Sequence, residues 1–156
     1  MKNQPVKILM VCLGNICRSP LAEGLLRSKT DSKKVMVDSA GLDHWHIGEA
    51  PCKTSREIAK KHGLNIDGLR ARQFSTDDFD KFDKIYIMDH YNWELIQQKA
   101  RNEQDLKKVD FILNEIFPGE NLDVPDTYQK NIKAAQRMFD MLDQATDVIA
   151  EKIQDE

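Results

Sequence analysis

Apolar residues recur along this chain in two rhythms. Val6-Lys7-Ile8-Leu9-Met10-Val11 is a short, nearly unbroken apolar run. Lys84-Ile85-Tyr86-Ile87-Met88 and Val109-Asp110-Phe111-Ile112-Leu113 have the same character, and Val35-Met36-Val37 is a shorter example. Runs of this length predict buried strands. Between them the spacing changes to three and four. Leu21, Leu25 and Leu26 put one apolar face on a helix from Pro20 to about Ser28. Thr54-Ser55-Arg56-Glu57 opens a second helix with capping residues, and Gly63 stops it. A third helix runs from His90 to about Asn102. Ile132, Ala135, Met138, Phe139, Leu142, Ile149 and Ile153 keep helical spacing through a long terminal helix, Asn131 to about Lys152. Pro118 to Gln129, rich in Pro, Gly and Asp, reads as a loop. Alternating strands and helices predict an α/β fold with a mainly parallel sheet.

Composition narrows the picture without redirecting it. The 156 residues suit one domain, residues 1–156, with a normal core. Net charge is −3, so no general nucleic-acid affinity is implied. No apolar run suffices to span a membrane, and the N-terminus lacks a signal-peptide pattern. Three cysteines do not suggest a secreted disulfide framework, and a reducing, cytoplasmic setting is the natural expectation. Cys52 has no cysteine or histidine at a familiar zinc spacing, and His44 and His46 lack further ligands nearby, so no metal or other cofactor is expected. The acidic cluster Asp77-Asp78-Phe79-Asp80 reads as a solvated helix start.

The chemistry is concentrated in Cys12-Leu13-Gly14-Asn15-Ile16-Cys17-Arg18-Ser19-Pro20. This stretch follows the first strand and precedes the first helix, with Pro20 favoured at the first helical position. A strand-loop-helix unit aims backbone N–H groups and a helix N-terminus at one point, which makes an anion site. The same field favours a thiolate over a thiol. Arg18 adds a planar fork suited to two phosphate oxygens. Ser19 can donate a hydrogen bond to the Cys12 sulfur, and Asn15 tolerates left-handed backbone angles.

Cys12, five residues, then Arg18-Ser19, with Gly14, Asn15 and Cys17 inside, resembles the phosphate loop of the low-molecular-weight protein tyrosine phosphatases. The resemblance implies a four-stranded parallel sheet in the order 2-1-3-4 with helices on both faces, the flavodoxin-like phosphotyrosine phosphatase I architecture. It implies hydrolysis of phosphotyrosine and aryl phosphates through a phosphocysteine on Cys12. Phosphate would be held by Arg18 and by the amides of Leu13, Gly14, Asn15, Ile16, Cys17 and Ser19. Composition cannot choose the acid among 26 acidic residues. The family's Asp-Pro-aromatic segment falls on Val124-Pro125-Asp126-Thr127-Tyr128, which implies Asp126 as general acid and base, with Asp123 second. Thr127 stands where the family has proline. The resemblance also implies that Trp45 and Tyr128 wall the cleft and that Ser39 ties to Asn15. Tyr128 is followed by Gln129, so a double-tyrosine site is not expected.

Met88-Asp89 with Asn92, and Arg70-Ala71-Arg72-Gln73, resemble two more family segments. Asp89 could pair with Arg72 or Arg18, or cap the third helix. Leu69 stands where many members carry a histidine. Cys17 is expected to pair with an oxidised Cys12 and protect it. The partners implied are phosphotyrosine-containing proteins and phosphate-like oxyanions, with neither nucleic acid nor membrane, for a monomer or weak homodimer. Two rival readings share parts of this pattern. A thioredoxin-coupled arsenate reductase needs a further cysteine pair, and only Cys52 lies outside the loop. A non-catalytic phosphotyrosine-binding module is invited only by Thr127. A nucleotide P-loop would need Gly-Lys-Ser/Thr, which is missing.

Overall fold

In a computed structural model, which describes residues 4–126 and 131–154, four parallel strands form one sheet. The strands are β1 (Val6–Cys12), β2 (Val35–Gly41), β3 (Lys84–Ile87) and β4 (Val109–Phe111), in the order β2-β1-β3-β4. Six α-helices accompany them among the described residues: α1 (Arg18–Lys29), α2 (Lys53–Lys61), α3 (Asp78–Lys81), α4 (His90–Lys99), α5 (Glu103–Lys107) and α6 (Ile132–Gln154).

The unbroken apolar run of β1 has a direct cause. Successive side chains point to opposite faces, and both faces are covered. Ile8, Met10 and Cys12 join a core with Leu21 and Leu25 of α1, Ile58 of α2, and Met138 and Leu142 of α6. Leu9 and Val11 join the opposite core with Phe79 of α3, Ile96 of α4 and Phe111. β1 lies between β2 and β3, so the strand order reverses there. In such sheets the crevice for a ligand opens beyond the carboxyl ends of the strands at this point. Cys12 is the last residue of β1.

The elements depart from the expected bounds where polar residues enter. β2 continues through Asp38 and Ser39 to Gly41, paired with β1 up to Cys12↔Gly41. An apolar run could not reveal that extension. α1 begins at Arg18, with Cys17 as its N-cap, two residues before Pro20. Pro20 still falls in the first turn, where no intrahelical N–H bond is lost. Ile112 and Leu113 leave the sheet for a 3₁₀ turn over Ile112–Glu115. The expected third helix divides at Ala100, and Asn102 caps α5 by accepting from the Asp105 N–H at 3.0 Å.

The reading of Asp77–Asp80 as a solvated helix start needs correction at Asp78. It is buried, and its carboxylate accepts two 3.1 Å bonds from Arg72 and one from the Ser75 N–H. A buried carboxylate is tolerated when it is paired and bonded in this way. No described helix is long and apolar enough to cross a membrane.

Candidate active site

The loop after β1 is held open by its own side chains. Asn15 has φ of 57°, a left-handed turn that asparagine tolerates better than most residues. Its Oδ1 accepts from the Arg72 N–H at 3.0 Å, which sets the orientation of the amide. Its Nδ2 therefore donates, to Ser19 Oγ at 2.7 Å and to Ser39 Oγ at 2.9 Å. Ser39 passes its own hydrogen to Glu23 Oε1 at 2.6 Å. Ser19 Oγ lies 3.1 Å from Cys12 Sγ. Because Asn15 occupies an acceptor position on Ser19, the serine hydrogen is left to turn toward sulfur. One directed chain of hydrogen bonds thus runs from Asn15 outward, to the sulfur on one side and to a buried carboxylate on the other.

Glu23 was not singled out from the sequence. It sits on the inward face of α1, 2% exposed, with Arg27 2.7 Å away one turn on. Burial pushes its carboxyl above the usual range, against the Ser39 bond and the charge of Arg27. A lone acid on an otherwise inward-facing helix stripe was the available signal.

Arg18 is buried in the first turn of α1. Its Nη1 donates to Asp89 Oδ2 at 2.6 Å and to the Val124 carbonyl at 2.9 Å. Burial opposes its charge, but Cys12, then Asp89 and Asp126, outweigh that and hold its pKa above the ordinary arginine value. Asp89 does two of the things open to it at once: it pairs with Arg18 and caps α4, accepting from the Asn92 N–H at 2.8 Å. It does not pair with Arg72, whose guanidinium is taken by Asp38 and Asp78. Arg72 reaches the loop through its backbone N–H alone. Leu69 packs against the core.

A cavity of about 170 Å³ opens above the loop, lined by Cys12, Arg18, Trp45, His46 and Asp126 among others. Leu13, Gly14, Ile16 and Cys17 form its floor and sides. Trp45 is 72% exposed, so it is no core residue. His46, considered in the sequence only as a metal ligand, packs over the loop: a Cβ on Gly14 would sit 3.0 Å from its ring. Asp126 is carried by a clamped segment. The Val124 N–H donates to the Met88 carbonyl at 2.7 Å while its carbonyl accepts from Arg18. Asp123 is turned away from the cavity and bonded to His90 at 2.7 Å. Tyr128 and Thr127 lie outside the described residues. No cluster of three or more metal-ligating side chains occurs among the described residues.

The third cysteine changes the redox picture. Cys17 is joined to Cys52 in a disulfide, with Cα atoms 5.4 Å apart, within the usual span for such a bond. Cys12 is the free cysteine. The expected Cys12–Cys17 pairing is therefore not the one present. No local pattern points to this pairing, because 35 residues separate the partners and only the fold brings α2 beside the loop.

Gly41 shows how tightly the loop is seated. A Cβ there would lie 2.9 Å from the Gly14 carbonyl carbon and the Leu13 carbonyl oxygen. Neither backbone atom can swing aside as a side-chain tip can. Gly41→Ala is expected to cost about 1–3 kcal/mol in denaturant unfolding, the range for overpacking. Stability equal to wild type would mean that the loop retreats freely.

Comparison with known proteins agrees with this geometry. The family model described as low molecular weight phosphotyrosine protein phosphatase matches residues 7–156. A low molecular weight protein-tyrosine-phosphatase of Bacillus subtilis, YfkJ, is 40% identical over 129 residues, 79% of this chain and 81% of the relative. A protein tyrosine phosphatase from Entamoeba histolytica, solved with Hepes in its active site, superposes with a TM-score of 0.88 at 29% identity, covering 96% of this chain and 97% of that one. The Wzb protein of Vibrio vulnificus, solved in complex with benzylphosphonate, gives a TM-score of 0.85 at 27% identity, over 94% of this chain and 98% of that one. The loop after β1, the strand order and these likenesses lead to one assignment: the chain belongs to the low molecular weight phosphotyrosine protein phosphatase family.

Proposed function

We propose that the protein hydrolyses phosphotyrosine and related aryl phosphates by way of a phosphocysteine on Cys12. One observation carries this reading: Cys12, Arg18 and Asp126 line a single cavity, so nucleophile, cation and acid face the same small volume. Cys12 attacks phosphorus in line as a thiolate, and the bond to the aryl oxygen breaks. Asp126 gives that oxygen its proton, then takes a proton from the water that attacks the phosphocysteine. The Nε–Nη2 edge of Arg18 has no protein partner among the described residues, and with the loop amides it holds the equatorial oxygens. Ser19 stabilises the sulfur both as nucleophile and as leaving group.

The ligands of the relatives support the substrate class. Benzylphosphonate, held by the Vibrio vulnificus relative, sets a phosphonate beside an aromatic ring. Here Trp45 offers an exposed aromatic face at the cavity mouth, suited to a planar ring. Proteins bearing phosphotyrosine are the partners this chemistry implies.

The test is steady-state hydrolysis of two aryl phosphates, para-nitrophenyl phosphate and phenyl phosphate, by wild type and Asp126→Asn. Wild type should treat both at similar rates, because the acid levels the difference between leaving groups. Asp126→Asn should lose about 10²–10³-fold on phenyl phosphate and distinctly less on para-nitrophenyl phosphate. An equal loss on both substrates would remove Asp126 from the acid role. No turnover by reduced wild type would overturn the function.

A further inference from the structure

Cys17 and Cys52 form a pair that the hydrolysis does not use, joined at the wall of the cavity that holds the nucleophile. Cys17 lines the same cavity as Cys12. Cys52 is the N-cap of α2, whose first turn holds no acidic residue. Cys52 is half-buried and so more open to solvent than the buried Cys17. The two cysteines are held together by more than their sulfurs. The Cys52 N–H donates to the Ile16 carbonyl at 2.6 Å, and buried Ser55 Oγ donates to the Cys17 carbonyl at 2.9 Å. Reduction would leave the thiols side by side.

We propose that Cys12, Cys17 and Cys52 form a three-thiol relay that reduces hydroperoxides at the phosphatase site and stores the oxidation on Cys17–Cys52. The relay rests on the reading of Cys12 as a reactive thiolate. A hydroperoxide transfers one oxygen to Cys12, giving a sulfenic acid and releasing an alcohol, or water from hydrogen peroxide. The Cys17 thiol attacks that sulfur, a Cys12–Cys17 disulfide forms, and water leaves. The Cys52 thiolate then attacks Cys17 Sγ and expels the Cys12 thiolate. Two electrons pass from the Cys17 and Cys52 thiols to the peroxide, and the disulfide that remains is the one in the structure. Cys12 returns to its working state, and an external dithiol recharges the pair at Cys52.

The test starts from fully reduced protein treated with one molar equivalent of hydrogen peroxide and quenched over time. Disulfides are mapped by peptide mass, and aryl phosphate hydrolysis is measured alongside. Wild type should form Cys17–Cys52 and keep its activity within about twofold. Cys52→Ser should stop at Cys12–Cys17, losing activity at least about tenfold until dithiothreitol is added. Cys52→Ala, which cannot hydrogen-bond through its side chain, should behave the same. Cys12→Ser should form Cys17–Cys52 at least about tenfold more slowly. Formation at the wild-type rate in Cys12→Ser would overturn the relay, since the pair would then oxidise by itself. Equal loss of activity in wild type and Cys52→Ser would also overturn it. Because peptide mapping needs no turnover, the relay is decided even if the untreated protein hydrolyses no aryl phosphate.

Discussion

Cys12→Ser should abolish aryl phosphate hydrolysis, by on the order of 10⁵-fold or more, while leaving oxyanion binding nearly intact. A serine hydroxyl at this place has no general base beside it. Ser19 Oγ, 3.1 Å from the sulfur, is turned to donate rather than accept. The proposed route runs through a covalent intermediate, so removing its nucleophile removes most of the rate enhancement at once. The loop amides and Arg18 would still meet a phosphate, and isothermal titration with phosphate should read an affinity within about tenfold of wild type. Turnover by Cys12→Ser within about tenfold of wild type would exclude the phosphocysteine route.

Arg18→Lys should cost about 10³-fold in kcat/KM, although charge is kept. The loss has two parts. A lysine ammonium cannot offer two parallel N–H bonds to two phosphate oxygens. It also cannot span Asp89 and the Val124 carbonyl while facing the cavity, as the guanidinium does. The variant should therefore weaken the Asp126 contribution as well. Combined with Asp126→Asn, it should lose less than the product of the two single losses, since residues sharing a partner do not act independently. Fully multiplicative losses would show that the Val124 contact does not position the acid.

Much of this arrangement was legible in the sequence because local chemistry dictates it. β1 announced itself as an apolar run because both its faces are buried. The loop announced itself because cysteine, glycine, asparagine and arginine each have a conformational or chemical reason to be there. What stayed hidden depended on distance through space. β2 could not be followed past Val37 because Asp38 and Ser39 are polar for reasons lying elsewhere: a pair with Arg72 and a bond to Glu23. Asp78 looked solvated because its partner Arg72 belongs to another segment. Glu23 looked like any helical acid until Ser39 was seen to lean on it. Cys52 carried no local signal at all.

The clamp on Val124 also bears on how such a protein can vary. Between the residue held at both its N–H and its carbonyl and the carboxylate of Asp126 stands only Pro125, whose ring restricts the backbone. The approach from the 3₁₀ turn, Phe117 to Asp123, is mostly exposed and is tied to the rest by few bonds. Insertions or deletions there would be absorbed before they reached the clamp. A lineage could remodel this rim while leaving the reach of the Asp126 carboxylate unchanged.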